Sequence, residues 1–234
     1  MVAFSHNWSL KNTGNAFISL LFPNQCLICE GGEFHSLDPV CCDCMKKMTE
    51  IDVEKNRMDE LMIKDGIDYA YTGWDFGSEL RTIIHTLKYE DRARLGFFLG
   101  LKLGERLSTI RIQHVDGIVP APLHFVKFRE RGYNQAEWIA KGLGEALILP
   151  VWSSLIKRVK YTVSQTTLDR QERVENLNRA FLLKKNVIDQ GILIVDDVIT
   201  TGSTISSMAT VFKNAGAKMI FAVTLATPKG ESND

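Results

Sequence analysis

The chain has 234 residues, 45% hydrophobic and 24% charged, which excludes a disordered or low-complexity protein and suits one main domain with a small appendage. Lysine plus arginine and aspartate plus glutamate each number 28, so a protein that grips nucleic acid by global positive charge is disfavoured. That neutrality is unevenly built: net charge is −4 over residues 1–60, zero over 61–119, +6 over 120–185 and −2 over 186–234, and the basic stretch suits a solvated face, a phosphorylated ligand or a nucleic-acid backbone.

No apolar run approaches the roughly 20 residues of a membrane span, and the sequence reads as cytoplasmic. Ala16 to Phe22 is too short and too poorly flanked for an export signal, and predicts a short amphipathic segment packed on the body. All five cysteines lie between positions 26 and 44. Cys26-x2-Cys29 and Cys41-x2-Cys44 flank a loop containing Gly31-Gly32, a layout in which two turns aim four thiolates at one tetrahedral Zn2+. Cys42 is an alternative to Cys41, and His35 an alternative to one thiolate. Four protein ligands close the coordination sphere, so such a zinc is structural. The polar stretch from Met45 to Asp65 then reads as a connector, dividing a zinc module over 1–64 from a main domain over 65–234.

A strand is predicted from Tyr69 to Phe76, followed by a helix that Ser78 caps and whose Leu80, Ile83, Ile84 and Leu87 share a face. A second helix is predicted over Arg92–Leu107. Val115 to Val119 predicts a strand that Pro120-Ala121-Pro122 ends. Ala136, Ile139, Ala140, Leu143 and Leu147 place a helix over Gln135–Leu147. Lys157 to Arg179 is polar, basic and without sustained rhythm, and predicts a long functional loop. Gly191 to Val195 is a continuous apolar run of the type found in strands buried on both faces. A helix over Thr204–Ala215 with Gly216 as its stop, then a strand over Met219–Leu225, complete the series. Strand, helix, strand in this order predicts an α/β fold with a doubly wound parallel sheet.

The stretch Ile192 to Thr204, ILIVDDVITTGST, carries the chemistry. Asp196 and Asp197 stand at the carboxyl end of a buried strand, where open α/β sheets bind ligands. Thr200, Thr201, Gly202, Ser203 and Thr204 follow as a hydroxyl-rich turn into a helix, which gathers N–H groups, hydroxyls and a positive helix end into an anion cradle. Carboxylates beside a phosphate cradle repel a bare polyphosphate, so their fitting partners are sugar hydroxyls, directly or through Mg2+. A nucleotide-binding strand of the Walker B kind lacks its G-x4-G-K-[ST] partner here, and Gly142-x-Gly144 lies within a helix.

ILIVDDVITTGST resembles the motif of type I phosphoribosyltransferases, which bind 5-phosphoribosyl-1-pyrophosphate. LLFPNQCLIC, LKYEDR at Leu87–Arg92, VPAPL at Val119–Leu123, RERGYNQA at Arg129–Ala136, and Gln165, Arg173, Asn176 and Phe181 extend the resemblance to the ComF family of competence-associated proteins, over about residues 20–227. The resemblance implies that Asp196 and Asp197 meet the ribose hydroxyls while Thr200–Thr204 hold the 5′-phosphate. It puts Ala121 and Pro122 at the pyrophosphate loop, with Lys88 and Arg131 as oxyanion ligands, and Arg158 and Lys160 on a flexible catalytic loop. It also implies Mg2+ with the pyrophosphate, and single-stranded DNA and a competence helicase as partners. Two other readings stay open: a nucleotide-salvage phosphoribosyltransferase and a non-catalytic phosphosugar sensor. Tyr133, Trp138 and Phe181 are the aromatic residues able to stack on a base, core packing being the simpler reading for the last two.

Overall fold

A computed structural model describes residues 25–31, 38–51, 66–89, 93–109, 112, 114–159, 180–199 and 201–227. The expected amphipathic segment, the expected boundary at 64/65, His35, Lys160 and Thr200 lie outside them. The chain divides into two compact units, 1–48 and 49–234.

In the first unit, helix α1 spans Cys42–Lys47 after an extended Cys41. The second unit opens with an antiparallel bridge from Glu50 to Trp74. It then runs through β1 (Tyr69–Asp75), α2 (Ser78–Tyr89), α3 (Ala93–Leu107), β2 (Gly117–Pro120), α4 (Phe125–Arg131) and α5 (Gln135–Leu147). A short hairpin of β3 (Ile156–Arg158) and β4 (Phe181–Leu183) comes next, followed by β5 (Gly191–Val198), α6 (Ser203–Asn214) and β6 (Met219–Thr227).

Strand order in the main sheet is β1-β6-β5-β2, and every pairing is parallel. Ile192, Leu193, Ile194 and Val195 are all fully buried, as a strand covered on both faces requires. Alternation splits the two faces. Ile192, Ile194, Ile220 and Ala222 form one core with Ile205, Met208 and Phe212 of α6. On the other face Gly144 of α5 lies against Ile118, and Leu103 of α3 reaches Gly73. Helices therefore cover both sides, and the doubly wound parallel sheet expected from the sequence is the observed one.

Helices α3 and α5 meet at nearly backbone-to-backbone distance. A Cβ on Gly142 would stand 2.0 Å from the Phe97 carbonyl oxygen, and one on Gly100 2.1 Å from that of Ile139. Gly142-x-Gly144 is thus a packing device, in keeping with its place inside a helix.

Several boundaries differ from expectation. Ser78 is the first residue of α2 and not its cap. The strand expected from Val115 starts at Gly117 and includes Pro120, where parallel pairing with Val195 ends. The long loop expected from Lys157 begins as a strand, because Lys157 and Arg158 pair with Leu182 and Phe181. Arg158 is accordingly a strand residue, a correction to its expected place on the flexible loop, with its guanidinium 5.8 Å over the Phe181 ring.

Candidate functional site

Both carboxylates of the acidic pair lie at the carboxyl end of β5, and the strand's alternation sends them different ways. Asp196 lines a pocket together with Val198, Ile199, Thr201, Gly202, Ser203, Thr204 and Ile205. Gly202 has φ 71°, a left-handed conformation that turns the chain from β5 into α6, and it offers no side chain to cap the helix. The start of α6 therefore borders the pocket beside the Thr201 and Ser203 hydroxyls, which lie 3.1 Å apart, and the Ser203 N–H donates to Thr201 Oγ1 at 3.5 Å. Partial burial, then the neighbouring Asp197 charge, pushes the Asp196 carboxyl up to about 7, against the pull of Lys88 and of the Asp197 N–H that donates to it at 2.9 Å.

Asp197 is buried and turned toward α2 and α5. Its Oδ2 sits 2.8 Å from Lys88 Nζ and accepts from Gln135 Nε2 at 3.3 Å, while its Oδ1 accepts from the Val198 N–H at 2.8 Å. Lys88 reaches it from the last turn of α2. Gln135 is itself buried, and its Oε1 has no hydrogen-bond partner among the described residues.

Three consecutive residues tie this corner together. The Tyr133 hydroxyl donates to the Leu87 carbonyl, beside Lys88. Asn134 caps α5 by accepting from the Ala136 N–H at 3.1 Å, and donates to the Ala121 carbonyl at 3.0 Å. Gln135 holds Asp197. Ala121 is also fixed from its other side, its N–H donating to the Val195 carbonyl at 2.7 Å. Tyr133 is consequently buried and committed to the backbone, which corrects the expectation that it is open to stack on a base.

In the smaller unit, the sulfurs of Cys26, Cys29, Cys41 and Cys44 all lie within 4.8 Å of one another. A tetrahedral thiolate site with metal–sulfur bonds of about 2.3 Å has sulfurs about 3.8 Å apart, and Cys29 and Cys41 stand at 4.0 Å. Burial pushes the Cys26 thiol up, but hydrogen bonds from the backbone of Cys41, Cys29 and Ile28 outweigh it and bring the thiol down to about 6. Burial and the surrounding sulfurs push the Cys44 thiol up, a cost that a bound cation removes. The cluster fits a metal such as zinc. Cys41 lies within the cluster and Cys42, exposed on α1, outside it.

Residues 121–234 match the family model described as the phosphoribosyl transferase domain. Competence protein F of Haemophilus influenzae is 27% identical over 222 residues, 85% of this chain and 95% of that protein. The DNA utilization protein YhgH of Escherichia coli is 31% identical over 150 residues, 62% of this chain and 66% of that protein. Competence protein ComFC of Streptococcus pneumoniae is 28% identical over 180 residues, 76% of each chain. The chain belongs to the ComF family. A hypoxanthine phosphoribosyltransferase from Staphylococcus aureus overlays 60% of this chain and 65% of its own at 16% identity, with a TM-score of 0.38.

As a ComF protein, this chain has the type I phosphoribosyltransferase fold. Its sequence-predicted site residues fall into groups. Asp196, Thr201, Gly202, Ser203 and Thr204 share one pocket. Lys88 joins Asp197, and Ala121 and the half-buried Pro122 follow β2 at the neighbouring strand end. Arg158 on β3 is near enough to Asp196 for its charge to be felt. Arg131 closes α4. The separate attachments of Tyr133, Asn134 and Gln135 follow from the fold and not from the sequence pattern.

Proposed function

We propose that the protein binds Mg2+-5-phosphoribosyl-1-pyrophosphate at the carboxyl ends of β5 and β2, and that this site serves the handling of incoming single-stranded DNA in natural competence, in the cytoplasm. The observation that carries the reading is the pocket that Asp196 and the first residues of α6 line together. A phosphate suits the helix start, with its N–H groups and the Thr201 and Ser203 hydroxyls, and Thr200 would join them. A ribose hydroxyl suits Asp196, an acceptor-only group when ionised. Asp197 takes the second hydroxyl when Lys88 leaves it, and Lys88, Arg131 and the Ala121–Pro122 turn then lie toward the pyrophosphate. Mg2+ would enter with the ligand and supply positive charge against its pyrophosphate, with Asp196 the carboxylate at hand to hold it through water. Zn2+ on Cys26, Cys29, Cys41 and Cys44 staples a unit too small to build a large core. The names of the relatives, competence and DNA utilization proteins, support the DNA part, in which a helicase is the natural companion.

The test is thermal unfolding of the full chain with Mg2+ and phosphoribosyl pyrophosphate. Ligand at a hundredfold excess over Kd adds about 2.7 kcal/mol to the folded state, so the transition moves up, and ribose 5-phosphate alone moves it less. No shift at millimolar ligand removes the reading.

A second reading is pentosyl transfer, which the half-buried Arg158 of β3 would serve. In such a reaction the ribose C1–O bond breaks, pyrophosphate leaves with the bonding pair, and a nitrogen nucleophile attacks the cationic C1. Arg158 and Lys160 would stabilise the departing charge. Pyrophosphate release screened over nucleobases tests it, and binding without release leaves the sensor alternative.

A further inference from the structure

Helix α4 buries none of its residues, yet it carries two large aromatic side chains: Phe125 is 61% exposed and Phe128 48%. Single exposed apolar residues are ordinary, but two rings one turn apart form a contiguous patch that calls for a partner. The helical period sorts the charges around them. At 100° per residue, Phe125, Phe128 and Arg129 share one side, and Arg131 follows Phe128 by one turn. Lys127 and Glu130 fall on the opposite side and pair at 2.9 Å, so their charges cancel there. The phenyl side of α4 is therefore the cationic side. It also adjoins the proposed phosphosugar site: His124 caps α4 directly after the Ala121–Leu123 turn at the end of β2, and the helix leads through Gly132 into Tyr133, Asn134 and Gln135.

We infer that the Phe125–Phe128–Arg129 face of α4 is a stacking platform for single-stranded nucleic acid. The inference rests on the DNA-handling part of the proposed function. Aromatic faces next to guanidinium groups match a strand whose bases are unpaired and whose backbone is anionic. A duplex hides its base faces and offers phenyl rings nothing. Seven residues with two rings are too little apolar surface for an interfacial membrane helix. The helix lies within the sequence stretch 120–185, whose net charge of +6 suits a polyanion.

The experiment is anisotropy of a labelled oligothymidylate with the full chain across a salt series. Because α4 buries nothing, Phe125→Ser with Phe128→Ser leaves folding and phosphoribosyl pyrophosphate binding intact. It raises the DNA Kd by roughly 10- to 100-fold, the loss of one or two stacked bases, without changing the salt slope. Arg129→Ala instead flattens the salt slope by about 0.7. Wild-type affinity in the double phenylalanine variant overturns the platform while leaving the DNA reading standing. No binding by the wild type even at low salt overturns both. A double variant that turns a dimer into a monomer with unchanged DNA binding overturns the platform in favour of self-association, and binding to anionic vesicles that the oligonucleotide does not compete overturns it in favour of a membrane surface.

Discussion

Lys88 and Asp197 face each other at 2.8 Å, one from the end of α2 and the other from the end of β5, and their pair bridges two sides of the proposed ligand site. Asp197 is 8% exposed and Lys88 24%. Removing Lys88 leaves a nearly buried carboxylate with only Gln135 and one N–H to satisfy it. Breaking fully buried pairs costs about 3–5 kcal/mol, and the partial exposure of Lys88 brings this to about 2–3 kcal/mol. Urea unfolding of Lys88→Met should show that loss, and Lys88→Met with Asp197→Asn should recover most of it. Additive losses in the double variant would mean that the two side chains act independently.

Gln135 gives a sharper separation of stability from binding. Replacing it by leucine removes one hydrogen bond to Asp197, but also a buried Oε1 with no partner among the described residues, and the two effects on folding oppose each other. Gln135→Leu should therefore leave the urea midpoint nearly unchanged while weakening phosphoribosyl pyrophosphate binding about tenfold, since the carboxylate loses its positioning donor. A lowered midpoint with wild-type binding would assign Gln135 to the core alone.

Asp196 sets a pH dependence. Its carboxyl is raised to about 7 in the folded chain, so between its ordinary range near 4 and that value the folded state holds more protons than the unfolded one. Stability thus falls as pH rises through this window and levels off above it. Asp196→Asn should flatten the profile and raise the melting temperature at pH 8 relative to wild type. Ligand binding should run the other way, strengthening toward pH 8 as the carboxylate ionises. A variant with the wild-type profile would place the titration elsewhere.

The metal cluster makes a compositional prediction. Purified protein should hold about one zinc per chain, Cys44→Ser should lose it, and Cys42→Ser should retain it. Equal loss from both variants would contradict the geometry.

Long elements were legible in the sequence because their apolar residues repeat often enough to set a period. Gln135–Leu147 was delimited by its apolar face, and Ile192–Val195 by an unbroken apolar run. Helices α1 and α4 and strands β3 and β4, of three to seven residues, are too short to establish one. Chemistry showed the same division. The Asp-Asp and threonine-rich turn is contiguous, and its pocket could be anticipated from strand-end placement. The bonds of Tyr133, Asn134 and Gln135 reach groups 46, 13 and 62 residues away, distances at which only the fold selects a partner. Strand alternation sets Asp197 against Lys88, 109 positions earlier in the chain, a pairing that no local pattern announces.

Calorimetric titration of Mg2+-phosphoribosyl pyrophosphate into the wild type and into Asp196→Ala is the decisive measurement for the phosphosugar site. Asp196 lines the pocket and its loss removes no apolar packing, so the variant should fold and bind at least tenfold more weakly. Unchanged affinity in Asp196→Ala, or no binding by the wild type, would contradict the assignment of this pocket to a phosphosugar.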